Sequence, residues 1–130
     1  MSELTPGLKA ETEITVTDAD TAARWGSGLV PVYSTPALVG QMENTAVVAL
    51  TGHLPAGQTT VGGRIDIRHL APTPVGMKVR AVAELVEAAG RKLVFKIEAW
   101  DAIEKIGEAT HERFIIDEAK FMMRVQAKGQ

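Results

Sequence analysis

Hydrophobic and polar residues alternate from Leu8 to Thr17. Leu8, Ala10, Ile14 and Val16 share one side, and Lys9, Glu11, Glu13 and Thr15 the other. A period of two predicts a half-buried strand. Asp18 or Asp20 is placed to cap a short helix running through Trp25. Gly26, Gly28 and Pro31 break any regular element, so residues 26–34 read as a loop. Order resumes at Thr35-Pro36, with Thr35 as a helix N-cap and Pro36 at the first helical position, where its missing N–H costs nothing. Val39, Met42, Ala46, Val47 and Leu50 follow at helical spacing, in a segment of so few charges that the helix should be buried on most of its surface. Gly52 is placed to end it.

Beyond the loop from Gly52 to Gly57 the pattern returns to period two. It predicts strands at Thr59 to His69, Met77 to Ala88, Lys92 to Asp101 and Lys105 to Ile116. Gly90 marks a tight hairpin between the second and third of these, and Ala102 to Glu104 the next turn. Asp117 is placed to cap a C-terminal helix ending near Val125. Short connections imply antiparallel pairing. The elements therefore predict one α+β domain over residues 1–130, an antiparallel sheet curled around one long central helix. Such a single layer leaves sheet edges and one face poorly covered, and dimerisation is the common remedy.

Composition removes several classes of function. Fourteen basic and 16 acidic residues give a net charge of -2, with no basic excess for nucleic acid. The absence of cysteine excludes disulfides, thiolate metal sites and cysteine nucleophiles, and permits the cytoplasm. No apolar run reaches the ~20 residues of a membrane span, and no secretory signal pattern opens the chain. The three histidines lack metal-ligand spacing, so no metal is expected.

Glu43 is the most unusual residue, because it falls on the apolar stripe of the central helix, four after Val39 and three before Ala46. It either reaches solvent at the stripe's edge, or needs partners near a cleft, where a carboxylate ionises with difficulty. Thr35, on the same helix, supplies a hydroxyl. His69 closes a strand and faces the proline-rich bend Leu70 to Gly76, a typical place for a functional side chain or for a histidine bonded to a carbonyl. His53 reads as a solvated loop residue, and His111 as a structural residue within a strand. Gly62-Gly63 interrupts a strand, which signals a bulge or the close approach of a ligand to backbone.

Thr17 to Ala22, Pro31 to Pro36, Glu43, Val61-Gly62 and the stretch His69-Leu70-Ala71-Pro72-Thr73-Pro74-Val75-Gly76 together resemble the hotdog-fold acyl-CoA thioesterases, and more narrowly the fluoroacetyl-CoA thioesterase family. The resemblance spans about residues 8 to 121. It implies a hotdog fold, acyl-CoA as substrate, no cofactor, and dimers or dimers of dimers with active sites at the subunit interface. It implies Thr35, Glu43 and His69 as catalytic residues, Gly62 as the donor of a backbone N–H to the thioester carbonyl, and Arg113 as a substrate-binding base. The family's fluoroacetyl-specific enzyme gates its pocket with aromatic residues, whereas the loop here reads Gly26-Ser27-Gly28-Leu29-Val30-Pro31-Val32-Tyr33, with Trp25 and Tyr33 the nearby aromatics. The resemblance thus leaves the acyl group open. Glu43 either attacks directly or activates water, with His69 orienting the water or protonating the thiolate. The rival readings are an enoyl-CoA hydratase, a non-catalytic acyl-CoA-binding or ligand-sensing module, and a purely structural dimer.

Overall fold

The computed structural model describes residues 4–130. Strand β1 (Lys9–Thr15) leads through a single 3-10 turn (Asp18–Asp20) and a one-turn helix α1 (Ala22–Trp25) to the long helix α2 (Thr35–Leu50). Strands β2 (Gln58–His69), β3 (Lys78–Ala89), β4 (Lys92–Trp100) and β5 (Lys105–Asp117) follow, and helix α3 (Glu118–Lys128) ends the chain. All five strands pair antiparallel, in the order β1-β3-β4-β5-β2. The sheet wraps one face around α2, the α+β arrangement that the order of elements predicted and the hotdog fold that the resemblance implied. Strands β1 and β2 are its two edges.

Helix α2 can lie close to the sheet because the sheet is nearly bare beneath it. Ala81, Ala99 and Gly107 stand side by side across β3, β4 and β5. A Cβ on Gly107 would fall 2.9 Å from Leu38 Cδ2 and 3.2 Å from Met42 Cε. The small row is therefore the seat of the helix, and Leu38 and Met42 press on it from above, with Ala46, Ala49 and Leu50 buried further along the helix. Larger residues close the core on one side of this row, with Leu85, Phe95 and Leu93 fully buried.

A buried polar network fixes the helix's position along the sheet. Tyr33 O–H donates to Gln41 Oε1 at 2.8 Å, and Gln41 Nε2 donates to the Val79 carbonyl at 3.0 Å. The Thr12 and Thr45 hydroxyls bond each other at 2.7 Å. Burial, joined by the nearby Asp20 charge, pushes the Tyr33 phenol well above its ordinary range, so it remains a donor.

Two features of α2 differ from the sequence expectation. Ser34, not Thr35, is the N-cap, its hydroxyl accepting from the Ala37 N–H. Thr35 is thereby the first helical residue, and its hydroxyl is available for other work. The buried stripe also lies further round, at Leu38, Gln41, Met42, Thr45, Ala46, Ala49 and Leu50. Val39 is half-buried, and Val47 and Val48 face outward. Apolar residues on both sides of the helix gave the periodicity two solutions, and the fit to the small-residue row selected one. Helix α3 runs three residues beyond the expected Val125. No helix among the described residues is long and apolar enough to cross a membrane.

The seat predicts a packing cost. Gly107→Ala should lower stability by about 1–3 kcal/mol, the usual penalty for an extra methyl in a filled core. Chemical denaturation would read this as a lower midpoint at unchanged slope; an unshifted midpoint would mean that α2 is not seated as tightly as described.

Candidate active site

His69 is the last residue of β2, and the bend after it is tied to the approach to α2. Tyr33 N–H donates to the Thr73 carbonyl at 2.9 Å, and Val32 and Pro74 form a bridge. Thr73 is itself held by a 2.9 Å bond from its hydroxyl to Asp101. These contacts draw the start of α2 against the end of β2. Thr35 Oγ1 and His69 Nδ1 are consequently 2.7 Å apart. His69 Nε2 is shielded from solvent and bonds to no described residue. Burial lowers the His69 pKa, so its ring is a neutral imidazole at pH 7. The pair borders a hollow of about 330 Å³, between the loop carrying Ser27 and the bend carrying Leu70 and Pro72.

Glu43 lies elsewhere. Eight residues of helix separate it from Thr35, about 12 Å of rise. Its carboxylate reaches across to β2 at Gly62, where an added Cβ would fall 2.9 Å from Glu43 Oε2, 3.3 Å from His111 Cε1 and 3.4 Å from Arg113 Nη1. Glycine at 62 is thus what allows a carboxylate, an imidazole and a guanidinium to converge on one spot of backbone. The expected bulge is also present: Gly62 pairs with Arg113 and Arg64 with Glu112, leaving Gly63 extra. A Cβ on Gly63 would collide with the Phe114 ring.

Arg113 is 6% exposed. Its Nε donates to Thr60 Oγ1 at 2.9 Å and its Nη2 to the Thr60 carbonyl at 3.0 Å. Its Nη1 lies 4.0 Å from Glu43 Oε2, a carboxylate whose side chain is 42% exposed. His111 stands behind them. Its Nδ1 is 2.8 Å from the Arg64 carbonyl and its Nε2 is 3.2 Å from Arg113 Nη1. A carbonyl only accepts and a guanidinium only donates, so the proton resides on Nδ1 and Nε2 accepts. Burial, chiefly, lowers the His111 pKa; Arg113 adds to the effect, against the Arg64 carbonyl and the Glu43 and Glu112 carboxylates.

Within one chain, then, the predicted residues form two groups, Thr35 with His69, and Glu43 with Gly62 and Arg113. His111 belongs to the second group, although the sequence reading took it for a structural residue. The available signal was its place between Ala109 and Arg113 on the core-facing side of β5, where two polar residues in succession are unusual. His53 lies in the loop after α2 as expected, but is half-buried with its Nδ1 shielded, rather than solvated. Among the described residues no three metal-ligating side chains gather.

The sequence profile of the fluoroacetyl-CoA-specific thioesterases matches residues 16–119. A fluoroacetyl-CoA thioesterase from Streptantibioticus cattleyicolor is 38% identical over 97 residues, 75% of this chain and 70% of that protein. A solved structure of a fluoroacetyl-CoA thioesterase superposes with a TM-score of 0.92 at 30% identity, covering 98% of each chain. A thioesterase superfamily member from Thermus thermophilus gives 0.91 at 29% identity, covering 99% of this chain and 96% of that one.

Two neutral histidines predict an acid-sensitive fold. With folded pKa values below the unfolded value of about 6.5, the unfolded chain binds more protons in this range. The histidine contribution is therefore full above about pH 6.5 and is lost as pH falls through the lower folded values. Denaturation midpoints should drop over that window, and His111→Gln should flatten the drop. An equal slope in wild type and variant would remove His111 from this role.

Proposed function

Because the chain belongs to the fluoroacetyl-CoA-specific thioesterase family and is a thioesterase, we propose that Glu43, Thr35 and His69 hydrolyse an acyl-CoA thioester at a site completed by a second copy of the chain. The observation that carries the reading is the split into two groups. Helix α2 and strand β2 run in opposite directions, with Thr35 near His69 at one end and Glu43 near Gly62 at the other. Residue 39 is midway between Thr35 and Glu43, and the step from Ile65 to Asp66 is midway between Gly62 and His69. A single two-fold axis passing beside both midpoints, outside edge strand β2 and across the outward face of α2, would bring the Glu43 group of one copy to the Thr35–His69 pair of the other. Edge strand β2 supplies the unpaired backbone for such a contact. The outward face of α2 supplies the exposed glycine Gly40, next to half-buried Val39. An even assembly follows, a homodimer or a dimer of dimers.

In this site water adds to the thioester carbonyl and CoA leaves as the thiol. Glu43 takes the proton of the attacking water, or attacks itself to give an anhydride that water then opens. The Gly62 N–H faces the developing oxyanion, with the Arg113 charge behind it. Arg113 is buried and fully engaged, so it orients Glu43 rather than reaching toward the anionic tail of CoA. His69, neutral by burial, accepts or relays a proton from water through the Thr35 hydroxyl more readily than it serves as a standing acid. The hollow beside Thr35 is walled by Ala22, Val32, Leu70 and Ala71, with Tyr33 its one aromatic lining residue, which suits an aliphatic acyl group. Acyl-CoA chemistry in a chain without cysteine fits a cytoplasmic enzyme.

Glu43→Gln should keep the fold and lower kcat by on the order of a hundredfold or more. Activity within a few-fold of wild type, measured by thiol release from acyl-CoA, would exclude Glu43 as base or nucleophile. The shared site has its own test. Co-expressed Glu43→Gln and His69→Ala chains should recover about a quarter of wild-type activity, since half of the dimers are mixed and each mixed dimer has one intact site. No recovery, or sedimentation as a 13.9 kDa monomer, would place the whole site within one chain.

A further inference from the structure

Beyond Arg113, one step along β5, the chain opens a groove of about 550 Å³ between the sheet and α3. Its floor is apolar, formed by Ile115, Ile116 and Met123, and its rim carries Arg91, Lys120 and Arg124. Among the described residues none of these three cations pairs with a carboxylate, whereas Lys92 beside them is held by Glu112 at 3.6 Å. Asp117 at the lip is occupied as the α3 N-cap, its carboxylate accepting from the Lys120 N–H at 3.1 Å. The Arg91 guanidinium is anchored by a 3.1 Å bond to the Ile115 carbonyl, with its other N–H groups free. In a chain of net charge -2, a concave surface with three unpaired cations over an apolar floor stands apart. Two other charged hollows mix signs: one on the outer face of the sheet sets Arg68 and Lys96 among Asp66, Glu84, Glu98 and Glu108, and another sets Lys78 and Arg80 among Glu13, Asp101 and Glu104.

Resting on the thioesterase reading above, we propose that this groove seats the phosphorylated adenosine diphosphate end of the CoA substrate. The adenine ring would lie on the Ile115 and Met123 side chains, and the phosphates would meet Arg91, Lys120 and Arg124. The placement agrees with the length of the substrate. Arg91, Ile115 and Thr60 form the row of the sheet next to the Leu93, Arg113 and Gly62 row. The groove therefore begins about 7 Å from the proposed oxyanion donor, and its α3 wall from Lys120 to Arg124 carries it roughly 6 Å further. A pantetheine arm needs such a separation between its thioester and its phosphates.

The test compares two substrates on the full chain. One is an acyl-CoA, and the other is the same acyl group on N-acetylcysteamine, which lacks the nucleotide. Lys120→Ala/Arg124→Ala alters exposed side chains. It should raise KM for the acyl-CoA roughly tenfold, the summed value of two exposed charge contacts. It should leave kcat nearly unchanged and kcat/KM for the short thioester untouched. Adenosine 3′,5′-bisphosphate should bind the wild type and bind the variant about tenfold more weakly by calorimetry, with both affinities falling as salt rises. An unchanged KM for acyl-CoA, or an equal loss on both substrates, would overturn the assignment. The second result would point instead to a groove covered by another copy of the chain. If wild type hydrolysed neither thioester, the thioesterase reading would fail, while calorimetry would still decide whether the groove binds the nucleotide.

Discussion

The close seating of α2 on the Ala81–Ala99–Gly107 row is the constraint on which the rest of the molecule depends. Every candidate catalytic group is held either by this helix or by a strand beneath it. A helix standing even one methyl further from the sheet would carry Glu43 away from Gly62 and Thr35 away from His69. The sheet therefore gives up side-chain volume at its centre, and it recovers burial from Leu85, Phe95 and Leu93 to one side. The Tyr33, Gln41, Thr12 and Thr45 network completes the constraint, because an apolar seat alone would let the helix slide along its axis.

The second close approach, at Gly62, obeys the same logic on a smaller scale. A strand that must receive a carboxylate against its backbone cannot carry a side chain there, and the Phe114 ring denies one to Gly63 as well. Two successive glycines weaken β2 as a strand. Its pairing with β5 along nearly its whole length compensates, and the bulge turns the local backbone without ending the ladder. The cost of the site in strand propensity is thus confined to one edge of the sheet. That is the edge where a second copy would restore the missing hydrogen-bond partners.

How much of this was legible in the sequence follows from which residues admit one solution. The strands were legible because alternation is strict where one face is buried; Lys92 to Trp100 runs half-buried, buried, half-buried and buried from its start. The stripe of α2 was not, because Val39, Val47 and Val48 offer as good an apolar face as Leu38 and Ala49. Only the shape of the sheet distinguishes them. The cap failed by one residue for a similar reason, since Ser34 and Thr35 are both good N-caps and the choice was made by the Thr73 carbonyl holding Tyr33 in place. Thr35, Glu43 and His69 were singled out as candidates by type, spacing and resemblance. Their division into two groups 12 Å of helix apart was not legible, because it depends on the antiparallel course of α2 and β2.

The two neutral histidines are neutral for different reasons, and the difference separates their roles. Both ring nitrogens of His111 are committed, one donating to the Arg64 carbonyl and the other accepting from Arg113. Protonation at Nε2 would set an N–H against a guanidinium that has no acceptor to offer, so His111 holds one tautomer and cannot exchange protons without disturbing Arg113. His69 has only its Nδ1 engaged, and by a hydroxyl, which both donates and accepts. The Thr35–His69 pair can therefore shift a proton between its members and reverse its tautomer, with the shielded Nε2, bonded to no described residue, as its other end. Of the two imidazoles only His69 has the freedom that a proton relay requires, while the rigidity of His111 keeps Arg113 aimed at Glu43.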